Sequence, residues 1–180
     1  MLRRNRRKLA FLPLLFLLFS CVKDVDLDQI DEVVIPPTAA IDLVFFDLEA
    51  SDLKDTASGT KVASDDTRLE FLDDDYIQDG LMRADFIFKF VNTFQQPGTA
   101  TVKFLSASNS LRHQVVIDIP SGTSNSPAVV NITEIVGVEQ ISRIRNSIKM
   151  SVDIEIFPNS EPLEGTLKME SKAYYYFEFK

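Results

Sequence analysis

The chain alternates hydrophobic and polar residues over most of its length after residue 38. Residues 85 to 92 read DFIFKFVN, with phenylalanine at every second position, and residues 148 to 157 read IKMSVDIEIF, with an apolar residue at every second position. Because successive side chains of a strand point to opposite faces, this period predicts half-buried antiparallel strands. The predicted core contains Phe86, Phe88, Phe90, Val102, Phe104, Val152 and Ile154.

Six further segments have strand-like patterns and are separated by turn-forming sequences such as QQPG and PNSEPLEG. They are residues 41 to 48, 68 to 72, 99 to 105, 111 to 119, 128 to 135 and 166 to 179. Eight strands with hairpin-length connections predict an all-β fold over residues 38 to 180, an antiparallel β-sandwich of immunoglobulin-like or related type. In VGVEQISRIRNS, Val138, Ile141 and Ile144 recur every three residues, so we expect at most one short helix, located there.

The N-terminal sequence differs from the rest of the chain. A basic block, RRNRRK, precedes eleven uncharged residues from Leu9 to Phe19. This order is typical of an export signal peptide. A membrane-spanning helix needs about 20 apolar residues, and this run is shorter and contains Pro13. We therefore predict that residues 1 to 20 are a cleaved signal.

Cys21 is the only cysteine of the chain and directly follows the apolar run. The sequence LFSC, residues 18 to 21, resembles a bacterial lipobox, although Phe19 stands where a smaller residue is usual. The resemblance implies cleavage between Ser20 and Cys21, a diacylglyceryl group on the Cys21 sulfur, and a further acyl chain such as palmitate on its amine. The alternative is a buried free thiol, but a lone cysteine at this position has little packing reason.

Loss of residues 1 to 20 makes the chain strongly acidic. Five of the 19 cationic residues leave with that segment, so 14 Lys and Arg remain against 27 Asp and Glu, a formal charge of −13. Residues 22 to 80 hold 17 acidic and four basic residues, whereas residues 81 to 180 hold ten of each. Such a charge repels nucleic acids and anionic lipid head groups, so we expect no nucleic-acid partner.

Residues 22 to 37, VKDVDLDQIDEVVIPP, are predicted to form an extended acidic tether after the lipidated cysteine. The acidic residues resemble the segment that sends some lipoproteins of Bacteroidota to the outside of the outer membrane; the alternative is a plain linker. Asp55-Thr56-Ala57 also resembles the O-glycan attachment site of exported Bacteroidota proteins. The chain thus resembles Bacteroidota envelope lipoproteins, which implies lipid anchoring to the outer membrane, leaves periplasmic and surface-facing orientations open, and implies no activity.

Catalytic motifs of common enzyme classes do not occur in the sequence. His113 is the sole histidine, and alternation places it on the face of Val115 and Ile117, which favours a partly buried structural role. A pair of carboxylates could act as a hydrolase, but spacing alone does not bring two of them together. We therefore predict no catalytic residue.

The densest acidic cluster is LDDDYIQDG, residues 72 to 80. Asp73, Asp75 and Asp79 could supply hard oxygen ligands to Ca²⁺, which takes six to eight of them. Gln78 and Ala84 stand where an EF-hand loop has its glycine and glutamate. The alternative is a solvated acidic loop, and no other cofactor is expected.

The last strand reads AYYYFEF, and alternation separates Tyr174 and Tyr176 from core-facing Tyr175. Exposed tyrosines can contact a protein or carbohydrate, or can simply stabilise the sheet. Two functions remain. The first is a non-catalytic envelope lipoprotein whose sandwich binds another envelope protein or a glycan, and the alternative is a carboxylate-dependent surface glycan hydrolase.

Overall fold

The computed structural model describes residues 38 to 179, which form two antiparallel β-sheets that share one core. The strands in chain order are β1 (Thr38–Glu49), β2 (Lys54–Asp55), β3 (Lys61–Arg68), β4 (Leu81–Asn92), β5 (Gly98–Leu105), β6 (Leu111–Ile119), β7 (Ala128–Val136), β8 (Lys149–Ile156) and β9 (Thr166–Phe177). The helices are α1 (Asp75–Gly80) and α2 (Ile141–Arg145), and two 3₁₀ turns span Ala50–Asp52 and Glu70–Asp73. Ser20, Cys21 and the predicted tether lie outside the described residues.

The prediction of an all-β antiparallel sandwich is confirmed. One sheet has the strand order β1-β9-β4-β7, and the other has the order β2-β3-β8-β5-β6. Most connections cross from one sheet to the other, as from β3 to β4 and from β8 to β9, instead of forming hairpins within a sheet. Without the two-residue strand β2, each sheet has four strands, and this connectivity is that of a jelly roll.

The predicted core residues all lie in the interior, each at most 1% exposed. Phe86 of β4 and Phe104 of β5 belong to different sheets, and their ring centroids are 4.5 Å apart. Tyr175 of β9 meets Phe86 edge-on at 6.0 Å. Aromatic rings from both sheets therefore hold the sandwich together through burial and favourable ring geometry.

The predicted strand at residues 68 to 72 is wrong. Leu69 and Leu72 are both buried. They lie three residues apart, which is the spacing of the 3₁₀ turn Glu70–Asp73 and not that of an alternating strand. The strand that precedes this segment is β3. Its sequence, KVASDDTR, does not alternate hydrophobic and polar residues, because β3 lies near a sheet edge. Polar residues are common on edge strands, where they discourage unwanted pairing.

The described residues contain two short α-helices, whereas the sequence analysis expected at most one. Helix α2 is the expected one, and Ile141 and Ile144 are buried beneath it. Helix α1 was missed because its sequence, DYIQDG, looks like an acidic loop; it is begun by Asp74, whose carboxylate accepts a hydrogen bond from the amide of Ile77 at 3.1 Å. Within residues 38 to 179, neither helix has the length and apolarity needed to cross a bilayer.

Candidate binding cleft

One lateral side of the sandwich is closed by His113. This residue lies on β6, at one edge of the five-stranded sheet, and Glu134 lies on β7, at the neighbouring edge of the four-stranded sheet. Nε2 of His113 is 2.8 Å from Oε1 of Glu134, and the imidazole packs 5.9 Å from the ring of Phe104. His113 is therefore a largely buried residue that joins the two sheets, in agreement with the predicted structural role.

The opposite lateral side, between β1 and β3, is open. Side chains of β1 that point toward the core, such as Ile41, Phe46 and Leu48, stay only partly buried. Across from them, Ala63, Asp65 and Thr67 of β3 lie opposite buried residues of β8 and therefore share their face. These three side chains are small or polar, so they do not fill the space against the apolar face of β1.

This space is an elongated cleft that runs along both strands. Its larger part has a volume of about 670 Å³ and is lined by Phe46 and Leu48 of β1, by Ala63 and Asp65 of β3, and by the turn residue Asp52. The second part is a separate space of about 450 Å³, with no lining residue in common with the first, which lies further along the same two strands near the 3₁₀ turn Glu70–Asp73. Both volumes fall in the range of ligand-binding pockets.

The floor of the cleft is uncharged. Val152 and Ile154 of β8 lie beneath its larger part, and Tyr175 of β9 lies beneath the second part. Burial raises the pKa of Tyr175, so this phenol stays neutral over the physiological range. The cleft thus combines an apolar floor and wall with a polar wall.

The excess negative charge of the domain borders this cleft. Residues 38 to 80 form β1, β2, β3, α1 and the turns between them, and they contain 12 Asp and Glu against three Lys and Arg. Residues 81 to 180 are balanced, with ten acidic and ten basic residues. The uneven charge seen in the sequence therefore becomes an acidic side of the sandwich.

The carboxylates that line the larger part of the cleft each contact a neighbouring group. Asp47 forms an ion pair with Lys168 at 2.7 Å. Oδ2 of Asp52 accepts the amide of Glu49 at 2.8 Å, and Oδ1 of Asp65 accepts the amide of Asp66 at 2.9 Å. These contacts hold the turn and the strands in place. The hydrolase alternative stays a prediction.

The outer face of the five-stranded sheet carries a polar cluster. Ser64 donates to Oδ1 of Asp153 at 2.7 Å, and the Lys103 ammonium donates to Oδ2 at 2.6 Å. The carboxylate that accepts the serine proton also contacts the Lys103 ammonium, which makes it a weak base, so the cluster does not resemble an activated nucleophile. Partial burial acts to raise the pKa of Asp153, but the hydrogen bonds from Lys103 and Ser64 and the Lys103 charge prevail and lower it.

We expect Asp153 to make the domain less stable in acid. A carboxyl group whose pKa is lowered by folding stabilises the fold at pH values above its unfolded-state pKa of about 3.9. This contribution is lost as the pH falls through the lower, folded-state pKa. For a partly exposed pair the loss should be about 0.5 kcal/mol. Urea unfolding at neutral and strongly acidic pH measures it. Asp153→Asn should remove this pH dependence and Asp118→Asn, at an exposed position of β6, should not; equal curves for both variants would contradict the assignment.

The three aspartates predicted as calcium ligands have separate structural surroundings. Asp73 accepts the Nε proton of Arg68 at 2.7 Å, whereas Asp75 and Asp79 lie in the first and last turns of α1. Among residues 38 to 179, no group of three or more His, Cys, Asp and Glu side chains could hold a metal ion. Calcium binding stays a prediction, without a ligand group in the described part of the chain.

The two tyrosines predicted on the outer face of the four-stranded sheet are half-buried. The hydroxyl of Tyr176 donates to Asp85 at 3.3 Å, and the Arg83 guanidinium lies 5.1 Å from the centre of the Tyr176 ring. Arg83 also donates from Nε to Asp85 at 2.7 Å. Tyr176 therefore contacts other residues of the same sheet face, which favours the interpretation that it stabilises the sheet.

The cleft itself was not predicted from the sequence. Its residues come from β1, β2, β3, β8, β9 and the turns at Ala50–Asp52 and Glu70–Asp73, and β3 was not recognised as a strand. A usable indication was present in KVASDDTR, where every second residue from Ala63 is small or polar. Once the neighbouring strands are known, that pattern indicates a strand whose core-facing side is incompletely covered. Without them it does not.

No protein-family model and no curated protein sequence matches the chain. Among solved structures, a protein of Parabacteroides distasonis ATCC 8503 that is described as secreted has a TM-score of 0.48 and 11% identity, over 64% of this chain and 38% of its own. The VP2 subviral particle of infectious bursal disease virus has a TM-score of 0.48 and 8% identity, over 81% and 33%. The enzymatically active domain of tailspike protein 4 from bacteriophage CBA120 has a TM-score of 0.40 and 9% identity, over 83% and 20%.

The matched region spans well under half of the length of each of these structures. Identities of 8 to 11% and TM-scores below 0.5 carry no argument about what this chain binds or does. Functional inference therefore depends on the residues of the chain itself.

Proposed function

We propose that this protein is a lipid-anchored protein of the cell envelope whose β-sandwich is a non-catalytic binding domain. The proposal joins two independent features. The lipobox-like sequence at Leu18 to Cys21 supports attachment to a membrane, and the open cleft between β1 and β3 supports binding.

The observation that carries the binding role is the difference between the two lateral sides of the sandwich. On one side, His113 and Glu134 join β6 to β7. On the other side, the apolar side chains of Phe46 and Leu48 face a space of about 670 Å³. Apolar surface that stays in contact with water is unfavourable at about 25 cal/mol per Å², so a partner that covers it gains free energy. A concave site with an apolar floor and a few polar groups is a common form of binding site.

Site-specific photo-crosslinking in cells that produce the full chain tests this role. A benzophenone amino acid in place of Ala63 would project into the cleft, whereas the same residue in place of exposed Gln114, on β6, would project from the opposite edge of the sheet. We expect a discrete crosslinked product of the envelope fraction with the Ala63 variant only. The same products at both positions, or none at Ala63, would refute a binding role for the cleft.

A further inference from the structure

The walls of the cleft are formed by strand edges. β1 is the last strand of the four-stranded sheet, and β3 has only the two residues of β2 on its outer side, opposite Lys61 and Val62. In the described part of the chain, no strand pairs with the outer edge of β3 from Ala63 to Arg68. Strand edges present backbone donors and acceptors at regular intervals, and they can accept an additional strand from a partner.

Of the two edges, that of β3 is the more regular. β3 pairs with β8 in continuous register from Lys61 to Arg68. β1, in contrast, has a bulge between Asp42 and Phe45, where the Ser171 hydroxyl replaces a backbone partner by bonding both the amide and the carbonyl of Val44. A bulge bends a strand and disturbs its ladder, so a new strand would pair better with β3.

The shape of the cleft fits an extended chain. Its two parts lie one after the other along β1 and β3, from Leu48 and Ala63 at one end to Ile41 and Arg68 at the other. At a rise of about 3.3 Å per residue, the seven steps from Ile41 to Leu48 correspond to roughly 23 Å. A strand of about eight residues would fill that length.

The charge and polarity of the cleft select the composition of that strand. Side chains of the added strand that point inward would meet Phe46 and Leu48, which favours apolar residues there. Asp66 lies on the accepting edge and points to the outer face of the sheet, away from the cleft; its carboxylate is 56% exposed and contacts Lys149 at 2.8 Å. Residues 38 to 80 hold nine more acidic than basic residues. Opposite charges on directly paired strands stabilise the pair, so lysine or arginine is favoured at the remaining positions.

From these features we infer that the outer edge of β3 binds an extended, cationic polypeptide segment of a partner protein, with alternate apolar side chains in the cleft. This inference rests on the proposed binding function and adds the class of partner. The ligand strand continues along β3 the position that β2 begins, and so lengthens the outermost strand of the five-stranded sheet. Backbone hydrogen bonds supply general affinity, whereas the acidic edge and the apolar floor supply selectivity.

The test uses the full chain in a mild non-ionic detergent and labelled synthetic peptides of about eight residues. The first probe alternates valine and lysine, and three others change one property each: glutamate for lysine, serine for valine, and N-methylation of alternate backbone amides. Fluorescence anisotropy should show binding of the valine-lysine peptide that weakens with salt, and at least about tenfold weaker binding of each of the others.

Two protein variants with the same charge change locate the site. Asp66→Lys should weaken binding of the valine-lysine peptide about tenfold, whereas Asp118→Lys, at an exposed position of β6 in the same sheet, should leave it unchanged. Equal losses in both variants would show non-specific charge attraction and overturn the inference. Unchanged binding of the N-methylated peptide would exclude strand addition. Self-association of the chain that Asp66→Lys abolishes would assign the edge to a second copy and overturn the choice of partner.

The peptide experiment and the crosslinking experiment test different claims, so one can fail without the other. If the Ala63 photo-crosslink forms in cells but no cationic peptide binds, the cleft is a binding site and the inferred class of partner is wrong. If neither is seen, the proposed function fails as well.

Discussion

Replacing Cys21 by serine should abolish fatty-acid labelling of the protein and release of its signal segment. The thiol is the only sulfur nucleophile in the chain that could take a thioether-linked lipid, because there is no second cysteine. Two or more acyl chains anchor a protein stably at about 0.8 kcal/mol per buried methylene, whereas one chain is marginal. Metabolic labelling with a clickable fatty acid, followed by membrane fractionation, measures both effects.

The matched control is Val25→Ser, which introduces the same residue four positions downstream and should keep full labelling and membrane attachment. A second chain that begins at Val22 behind a conventional cleavable signal should be exported without lipid and found in the soluble fraction. Labelling that persists in Cys21→Ser, or a wild-type protein that takes up no fatty acid, would show that Cys21 is not the anchor. Either result would remove the lipoprotein part of the proposed function and leave the cleft untouched.

Replacing Phe86 by alanine should lower the free energy of unfolding by about 3–5 kcal/mol. The side chain is completely buried and touches rings of both sheets, Phe104 at 4.5 Å and Tyr175 at 6.0 Å between centroids. Its removal leaves a cavity where the two sheets meet, and the surrounding strands relax only in part. Urea unfolding with linear extrapolation measures the change.

The control is the same substitution at Phe45, a position that is not buried. Its side chain is 69% exposed on the outer face of the four-stranded sheet, so Phe45→Ala should change the free energy of unfolding by at most about 0.5 kcal/mol. If Phe86→Ala yields no folded protein, Phe86→Leu, which keeps more of the volume, should show a smaller loss in the same direction. Similar small losses for Phe86→Ala and Phe45→Ala would contradict the packing of the two sheets described above.

The strand assignments succeeded where one face of a strand is fully covered. Phe86, Phe88 and Phe90 alternate with less buried residues because β4 lies in the middle of its sheet, and a two-residue period then marks the core face directly. The same reasoning failed at residues 68 to 72, where Leu69 and Leu72 reach the core from a 3₁₀ turn. A pair of buried residues spaced by three in a short segment fits more than one local structure, and only the packing around it decides between them.

The sequence by itself determined the all-β class, the core faces of the central strands and the buried position of His113, because these follow from the period of the chain and need no knowledge of neighbours. It also located the acidic excess in residues 22 to 80. The order of the strands, the existence of β3 and the cleft were decided only by the tertiary structure. Ala63, Asp65 and Thr67 look like an ordinary polar segment until β8 lies on one side of them and β1 faces them across the sandwich. Which strands lie side by side depends on contacts between residues far apart in the chain, and local patterning contains no record of those contacts.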